Sequence, residues 1–230
     1  DNALFQDGDI RINTASLVGG KFGFLDSVLS VNVLNANAHQ WGINNSRFEV
    51  SDLTLATDES YIDNAFILVN QLDVNAGSMV VTGSRMSGLD MRFQGSSLGL
   101  TDSSWLFNNI NAKTEALNLK QALLMSYRTD LNTAVLISEN SSYYSEVLQF
   151  RAGADFTSQG DTFQILSFGG EIGESDAGTL DINAGNADFS DTNIRTERFN
   201  LTGNNLTLSA GEMLASDLFV TSSSFVARES

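Results

Sequence analysis

The sequence predicts an all-β fold, a right-handed parallel β-helix (β-solenoid) made of about twelve coils of 19 residues. Three observations lead to this prediction. The decapeptide LDVNAGSMVV, residues 72–81, returns almost unchanged as LDINAGNADF, residues 180–189. Apolar residues recur every 19 residues along most of the chain. The 230 residues include 19 glycines but no proline, so backbone N–H groups are available nearly everywhere for continuous hydrogen-bonded ladders.

The repeat defines the strands of one coil, whose positions we number from 0 to 18 with Leu72 at position 0. Apolar side chains occupy positions 0, 2, 7, 9 and 14 of successive coils, and Ser60 is an exception. Because side chains alternate along a strand, positions 0 and 2 share one face, and so do positions 7 and 9. A helical repeat would show a 3.6-residue spacing and a longer unit. The predicted core columns contain Leu53, Leu72, Met91, Leu55, Val74, Phe93, Val81, Leu100 and Leu119 and, in the second copy, Leu180, Phe199 and Leu218.

Corners are expected between the strands of each coil. Positions 4 and 5, such as Ala76-Gly77, recur as pairs that mostly contain a residue suited to turns, so we place the first corner there. A helix is the competing interpretation for EALNLKQALLMSYR, residues 115–128, which is rich in helix formers. Leu117, Leu119 and Leu124 nevertheless keep the 19-residue spacing and favour strands.

The chain is expected to form a single β-helix domain, residues 1–230, with one register break or insertion loop within about residues 151–179. The two decapeptides begin at Leu72 and Leu180, so their offset is five full 19-residue periods with about 13 positions left over. SFGGEIGESDAGT, residues 167–179, is the first candidate for an outward loop because it is rich in glycine and acids. A shortened coil within residues 153–160 is the alternative.

Composition excludes several classes of partner. The 28 acidic and 12 basic residues give a net charge of -16, which repels nucleic acid and anionic lipid surfaces. No cysteine is present to form disulfides or thiolate metal sites. The longest apolar run, residues 65–69, is far too short for membrane insertion. The chain begins DNALF, so any targeting signal is expected to have been removed or to lie outside this sequence.

Binding residues are expected at a tyrosine pair and in the acidic loop. Tyr143 and Tyr144 are adjacent, so one side chain points inward and the other outward, where it is a candidate platform for a sugar. Simple core packing is the competing interpretation. Glu171, Glu174 and Asp176 are candidates for contacts to Ca²⁺ or a sugar, against the alternative of a solvated loop. No other cofactor is expected.

No catalytic activity is expected from the residue pattern. The only histidine, His39, falls at a predicted corner. GSSLG, residues 95–99, matches a nucleophile-elbow pattern, but that motif needs a strand-to-helix turn, and the strand pattern continues through it. Ser60 and Thr129 fall on inward columns. We expect their hydroxyl groups to form hydrogen bonds with other buried polar side chains or with the corner backbone.

The strands LTLSAGE and LDINAG and the longer SDAGTLDINAG resemble the repeats of filamentous-haemagglutinin-like exoproteins of two-partner secretion. The resemblance extends over most of the chain, but the NPNGI-like and NHNG-like motifs of the secretion domain are missing, which indicates a shaft. It implies a right-handed β-helix that forms outside the cell, at the surface of a Gram-negative bacterium, with a role in adhesion or surface display.

Three functions from different classes are therefore considered. The first is a structural shaft segment of a secreted surface adhesin that contacts a glycan or protein of a host or neighbouring cell. The second is a self-polymerising filament subunit, because bare strand edges favour end-to-end stacking. The third is a polysaccharide-acting β-helix enzyme or tailspike.

Overall fold

The computed structural model describes the backbone of residues 2–228 and the side chains of residues 2–149, 216, 217 and 219–224. These residues form nine β-strands that pair in chain order within one parallel sheet. They contain no helix, so no helix among them is long and apolar enough to cross a bilayer. The strands are β1 (Asn2–Gln6), β2 (Asp9–Leu25), β3 (Val28–Asn44), β4 (Arg47–Asp63), β5 (Phe66–Thr82), β6 (Arg85–Thr101), β7 (Ser104–Lys120), β8 (Leu123–Glu139) and β9 (Ser142–Arg228).

Each strand from β2 to β8 is one coil of a solenoid. Its residues pair with those 19 positions earlier and 19 positions later, so that Leu55, Val74 and Phe93 are direct neighbours in three successive coils. This arrangement confirms the predicted parallel β-solenoid and its 19-residue coil. About eight coils fall in the part with described side chains, against about twelve predicted for the whole chain. Residues 115–128 lie in β7 and β8 and the short connection between them, so the helical alternative was wrong.

Three corners divide each coil into three short faces, as β5 illustrates. Inward and outward side chains alternate along it except at residues 70–71, 77–78 and 82–83. The ladder to β4 is interrupted at two of these places, since Val50 pairs with Val69 but the next pair is Asp52 with Gln71. Each coil is therefore a triangle, and the apolar side chains of its inward positions fill the inside.

The first corner lies one residue later than predicted, at positions 5 and 6. Ala76, at position 4, is buried because it continues the inward alternation of Leu72 and Val74. Threonines at this position bond to corner backbone: Thr114 Oγ1 donates to the carbonyl oxygens of Ser96 (2.9 Å) and Ala116 (3.0 Å).

Position 16 is a further core column that the pattern missed, and it includes Val31, Val50, Val69 and Phe107.

A second unpredicted feature is a left-handed corner at position 11 of every described coil. The φ angles there lie between 48° and 57°, a region favoured by glycine, asparagine and aspartate. The corner breaks the continuous strand and separates one coil from the next. The residues are Asp7, Asp26, Asn45, Asn64, Gly83, Asp102, Gln121 and Asn140.

Buried serines satisfy the backbone just after this corner. The backbone N–H of Asn64 donates to the Thr82 carbonyl (2.9 Å), whereas the next N–H, that of Ala65, donates to Ser84 Oγ (2.9 Å). Ser84 Oγ in turn donates to the Thr82 carbonyl at 2.8 Å. The same backbone N–H to hydroxyl contact joins Gly8 to Ser27, Ser27 to Ser46, Ser84 to Ser103 and Ala122 to Ser141.

The two inward polar residues named above behave differently. Thr129 Oγ1 shares a hydrogen bond with Ser126 Oγ at 2.5 Å, as expected for a buried hydroxyl. Ser60 is fully buried, and its Oγ has no hydrogen-bond partner among the described residues, so the expectation was wrong for Ser60. Ser60 pairs in register with the buried Trp41 of the preceding coil.

The register changes between β8 and β9. Thr133 pairs with Ala152 at the usual spacing, but Val135 pairs with Asp155, which is one position beyond that spacing, so one extra residue enters at this corner. This is a bulge of one residue. The larger 13-residue shift expected within residues 151–179 stays a prediction.

Candidate functional site

The two predicted tyrosines lie on opposite sides of the coil wall. Tyr143 is 2% exposed, and its hydroxyl shares a hydrogen bond with Ser138 Oγ at 2.7 Å, so this side chain is part of the core. Tyr144 is 36% exposed and lies beside Met125, which in turn pairs with Leu106 on the outer surface. Tyr144 therefore belongs to a short apolar ridge of three neighbouring coils, and Tyr143 does not contribute to it.

The remaining predicted positions divide into two groups. The side chains of Glu171, Glu174 and Asp176 lie outside the described residues, so the Ca²⁺ or sugar site predicted there stays a prediction. The same holds for the core positions Leu180, Phe199 and Leu218. The other nine predicted core residues are buried in one contiguous cluster, namely Leu53, Leu72, Met91, Leu55, Val74, Phe93, Val81, Leu100 and Leu119.

The motifs weighed for catalysis lie on strands and corners. His39 is exposed, and its Nδ1 lies 2.8 Å from the Asp58 carboxylate of the next coil. Residues 95–99 lie within β6, and Gly99 pairs with Asn118 in the regular ladder. Among residues with described side chains, no three His, Asp or Glu side chains come together as a metal site.

A groove on the outer surface is a candidate binding site that sequence reasoning missed. It lies along position 8, where Leu4, Gly23, Gly42 and Tyr61 are direct neighbours in four successive coils. Gly23 and Gly42 project no side chain, but Leu4 Cδ1 lies 3.0 Å from the point that a Cβ of Gly23 would occupy. The open part of the trough is therefore over Gly42, between the exposed side chains of Leu4 (64%) and Tyr61 (47%). The groove has a volume of about 410 Å³ and is lined mostly by apolar surface, with Leu4 and Tyr61 exposed and Trp41 buried beneath it.

Polar side chains form one rim of the groove. Asn2, Lys21, Gln40 and Glu59 are neighbours in register at position 6 of the same four coils. Glu59 Oε2 accepts hydrogen bonds from Gln40 Nε2 (2.8 Å) and from the Tyr61 hydroxyl (3.2 Å). This network holds the amide and the phenol against one carboxylate oxygen.

The rim retains unused hydrogen-bonding capacity. Lys21 Nζ forms no ion pair with any described residue, and Glu59 Oε1 accepts no hydrogen bond from one. The negative charge of Glu59, together with the hydrogen bond, raises the pKa of the Tyr61 phenol above its ordinary value. The one hydrogen of the Tyr61 hydroxyl is donated to Glu59, so this oxygen is left as an acceptor.

The sequence contains one signal for this groove. GKFG and HQWG each end in a glycine at position 8, in consecutive coils, and the flanking coils carry Leu4 and Tyr61 there. Outward columns follow no hydrophobic rule, however, so the spacing alone does not distinguish a groove from a flat wall.

Comparisons of the chain with models of protein families, with curated proteins and with solved structures give no match.

Proposed function

We propose that this chain is a structural shaft segment of a secreted surface adhesin, a stiff β-helical spacer that acts in adhesion or surface display. The observation that carries the proposal is the constant register of the coils. From the Asn2–Lys21 pair to the Lys120–Glu139 pair, successive coils keep one constant register, and the same core columns pass through them. A stack of this kind extends by about 4.8 Å per coil and places its two ends far apart.

The outer surface supports a role in solution rather than within a lipid or on nucleic acid. Outward positions of one face carry Asp73, Arg92 and Asn111, and the chain as a whole has a net charge of -16. Like charge of this size opposes sideways association and keeps a rod separate from its neighbours. The location at the surface of a Gram-negative bacterium is supported by the resemblance of the repeats, and the partner would be a glycan or protein of another cell.

The proposal is tested by locating the chain on intact cells of the organism that carries it. Gold-labelled antibodies raised against the purified protein should decorate unpermeabilised cells. An in-frame deletion of the chain should lower adhesion of those cells to a surface or to other cells. Label that appears only after permeabilisation would contradict the proposal.

A filament subunit is the second candidate, because coils that keep one constant register can also stack between copies of the chain. Such stacking would continue both the backbone ladder and the core columns from one copy into the next. Sedimentation and electron microscopy distinguish the two candidates: single rods of about 60 Å favour the shaft, and much longer filaments favour polymerisation.

The shaft proposal assigns no chemical step to the chain. Incubation of the purified protein with a panel of polysaccharides should release no reducing ends. Reproducible release would instead favour the enzyme or tailspike alternative.

A further inference from the structure

We propose that the groove between Leu4 and Tyr61 is a binding site for a sugar ring of an uncharged glycan. This inference rests on the proposed adhesive function for its biological meaning, but the geometry that supports it is independent of where the chain is located. It names a ligand class and a site on a face of the solenoid that the sequence left unassigned.

The shape of the groove fits a flat ring. The backbones of Leu4 and Tyr61 are three coil steps apart, which is about 14 Å along the stack. The Leu4 side chain reaches over Gly23, so the open length is shorter and centres on Gly42. The floor is glycine backbone, because the side chains of Phe22 and Trp41 beneath it are buried in the core. A ring laid on this floor is bounded at one end by an aliphatic side chain and at the other by an aromatic one.

The chemistry of the lining fits a sugar better than a purely apolar ligand. A pyranose presents C–H groups on its faces and hydroxyl groups around its edge, so it needs an apolar or aromatic surface beside mixed donors and acceptors. The groove has both, because Leu4 and the Tyr61 ring supply apolar surface and the Lys21 ammonium and Gln40 amide line its rim. The Glu59 carboxylate is hydrogen-bonded to Gln40 and Tyr61 beside them. Small-molecule sites commonly combine an apolar lining with a few placed polar groups in this way.

Charge favours an uncharged glycan over an anionic one. The rim contributes one positive group, Lys21, and one negative group, Glu59, which balance locally. The remaining field of the molecule is that of a chain with net charge -16. Sulfated or uronic-acid chains are therefore repelled at long range, whereas neutral hexoses are not.

Direct binding measurements with the full chain test the inference. The probes are neutral tetrasaccharides of glucose, galactose, mannose and N-acetylglucosamine, titrated by calorimetry, with a heparin tetrasaccharide as the anionic comparison. We expect saturable 1:1 binding of at least one neutral probe, and weaker or no binding of heparin. Failure of all four neutral probes to bind at millimolar concentration would overturn the inference, and so would tighter binding of heparin.

A matched pair of variants places the binding in the groove. Gly42→Leu fills the trough, and a Cβ there meets no atom closer than the Phe22 carbonyl oxygen at 3.9 Å, so the fold should be kept. Gly99→Leu adds the same side chain to the same column outside the groove, at a position with no atom within 4 Å of a Cβ. We expect Gly42→Leu to weaken binding about tenfold or more and Gly99→Leu to leave it unchanged. Equal effects of the two variants would overturn the assignment.

A second pair tests the aromatic wall. Tyr61→Ala should weaken binding about tenfold or more, whereas Tyr127→Ala removes an exposed tyrosine from outside the groove and should have no effect. Circular dichroism of each variant verifies that the fold is unchanged. The contrary outcome is a short peptide that competes with the sugars for the groove and binds more tightly than any of them. That result would make the ligand a protein segment and would overturn the inference. Because binding is measured on the isolated protein, its failure is distinguishable from failure of the cell-surface test.

Discussion

At the scale of single residues, the left-handed corner explains why small polar residues recur where the sequence pattern showed no core. Position 11 turns the backbone, and the following residue points inward with an N–H that bonds to no neighbouring carbonyl. A serine hydroxyl from the next coil accepts that hydrogen bond in five of the coil pairs. The buried serines therefore replace a missing rung of the backbone ladder.

Replacing one of these serines tests this role. Ser84→Ala removes the acceptor of the Ala65 N–H and leaves a buried donor unpaired, so we expect a loss of about 1–3 kcal/mol in unfolding free energy. Ser96→Ala, at an exposed corner of the same region, is the control and should change stability by less than about 0.5 kcal/mol. Urea unfolding followed by tryptophan fluorescence measures both. A loss for Ser96→Ala as large as that for Ser84→Ala would contradict the account.

The corner residue itself gives a stabilising prediction. Gln121 has a φ of 51°, whereas three other coils carry asparagine at the same position. Asparagine tolerates this conformation better than glutamine, so Gln121→Asn should raise the unfolding free energy by about 0.5–1 kcal/mol. Gln94→Asn, on an exposed strand position, should give no gain. A gain for both variants, measured by thermal unfolding, would assign the effect to something other than the left-handed corner.

At the scale of the element, the side chain that a position of a coil can carry depends on how closely the backbone there approaches the neighbouring coils. A Cβ at Gly88 would overlap the carbonyl oxygen of Val69 in the preceding coil, and the Phe107 ring of the next coil lies on the other side. Gly99, in the same strand β6, meets no atom within 4 Å of an added Cβ. The two glycines therefore have different roles, although the sequence around them looks alike.

Alanine substitutions at these two glycines separate the roles. Gly88→Ala should lower the unfolding free energy by about 3 kcal/mol or more, because β6 must move away from Val69. Gly99→Ala should be neutral or stabilising by about 0.4–1 kcal/mol, since it only restricts the unfolded chain. Chemical denaturation of both variants is the measurement, and a tolerated Gly88→Ala would mean that β6 does not lie this close to β5.

How much of this element could be predicted depends on which interactions repeat. The columns of Leu72 and Val81 were predictable because both positions are buried in every coil from β3 to β8. The first corner was placed one residue early because Ala76-Gly77 looks like a turn, although the alanine completes the inward row. The recurring pairs of position 11 and position 12, among them DS, NS and GS, were visible in the sequence and could have indicated the left-handed corner.

The groove was beyond the reach of the repeat pattern. Its form depends on the sizes of outward neighbours such as Gly42 and Tyr61, and its rim depends on the side-chain directions that bring Gln40 to Glu59. No hydrophobic periodicity encodes either property. The repeat pattern did not predict the apolar ridge that includes Tyr144 either. Tyr144 and Tyr143 are the same residue type and differ in exposure.

At the scale of the whole molecule, the solenoid separates an apolar interior from a charged exterior. Leu100 is buried in the column between Val81 and Leu119, whereas Asp73 is exposed on the outer wall. Leu100→Asp would place a carboxylate in the dry core and should lower the unfolding free energy by about 4 kcal/mol or more. Asp73→Ala should change it by less than about 0.5 kcal/mol. Equal losses in thermal unfolding would mean that the two faces are wrongly assigned.

The central claim is that the chain rises by one strand spacing for every 19-residue coil. Because the protein has no cysteine, pairs of introduced cysteines can carry spin labels at chosen sites. Ser16, Arg92, Asn111 and Gln149 are exposed and occupy the same outward column, at separations of four, five and seven coils from Ser16. Double electron–electron resonance should give mean distances from position 16 of about 19, 24 and 34 Å, increasing by about 4.8 Å per coil. Distances that do not increase in proportion to the number of coils would contradict the solenoid.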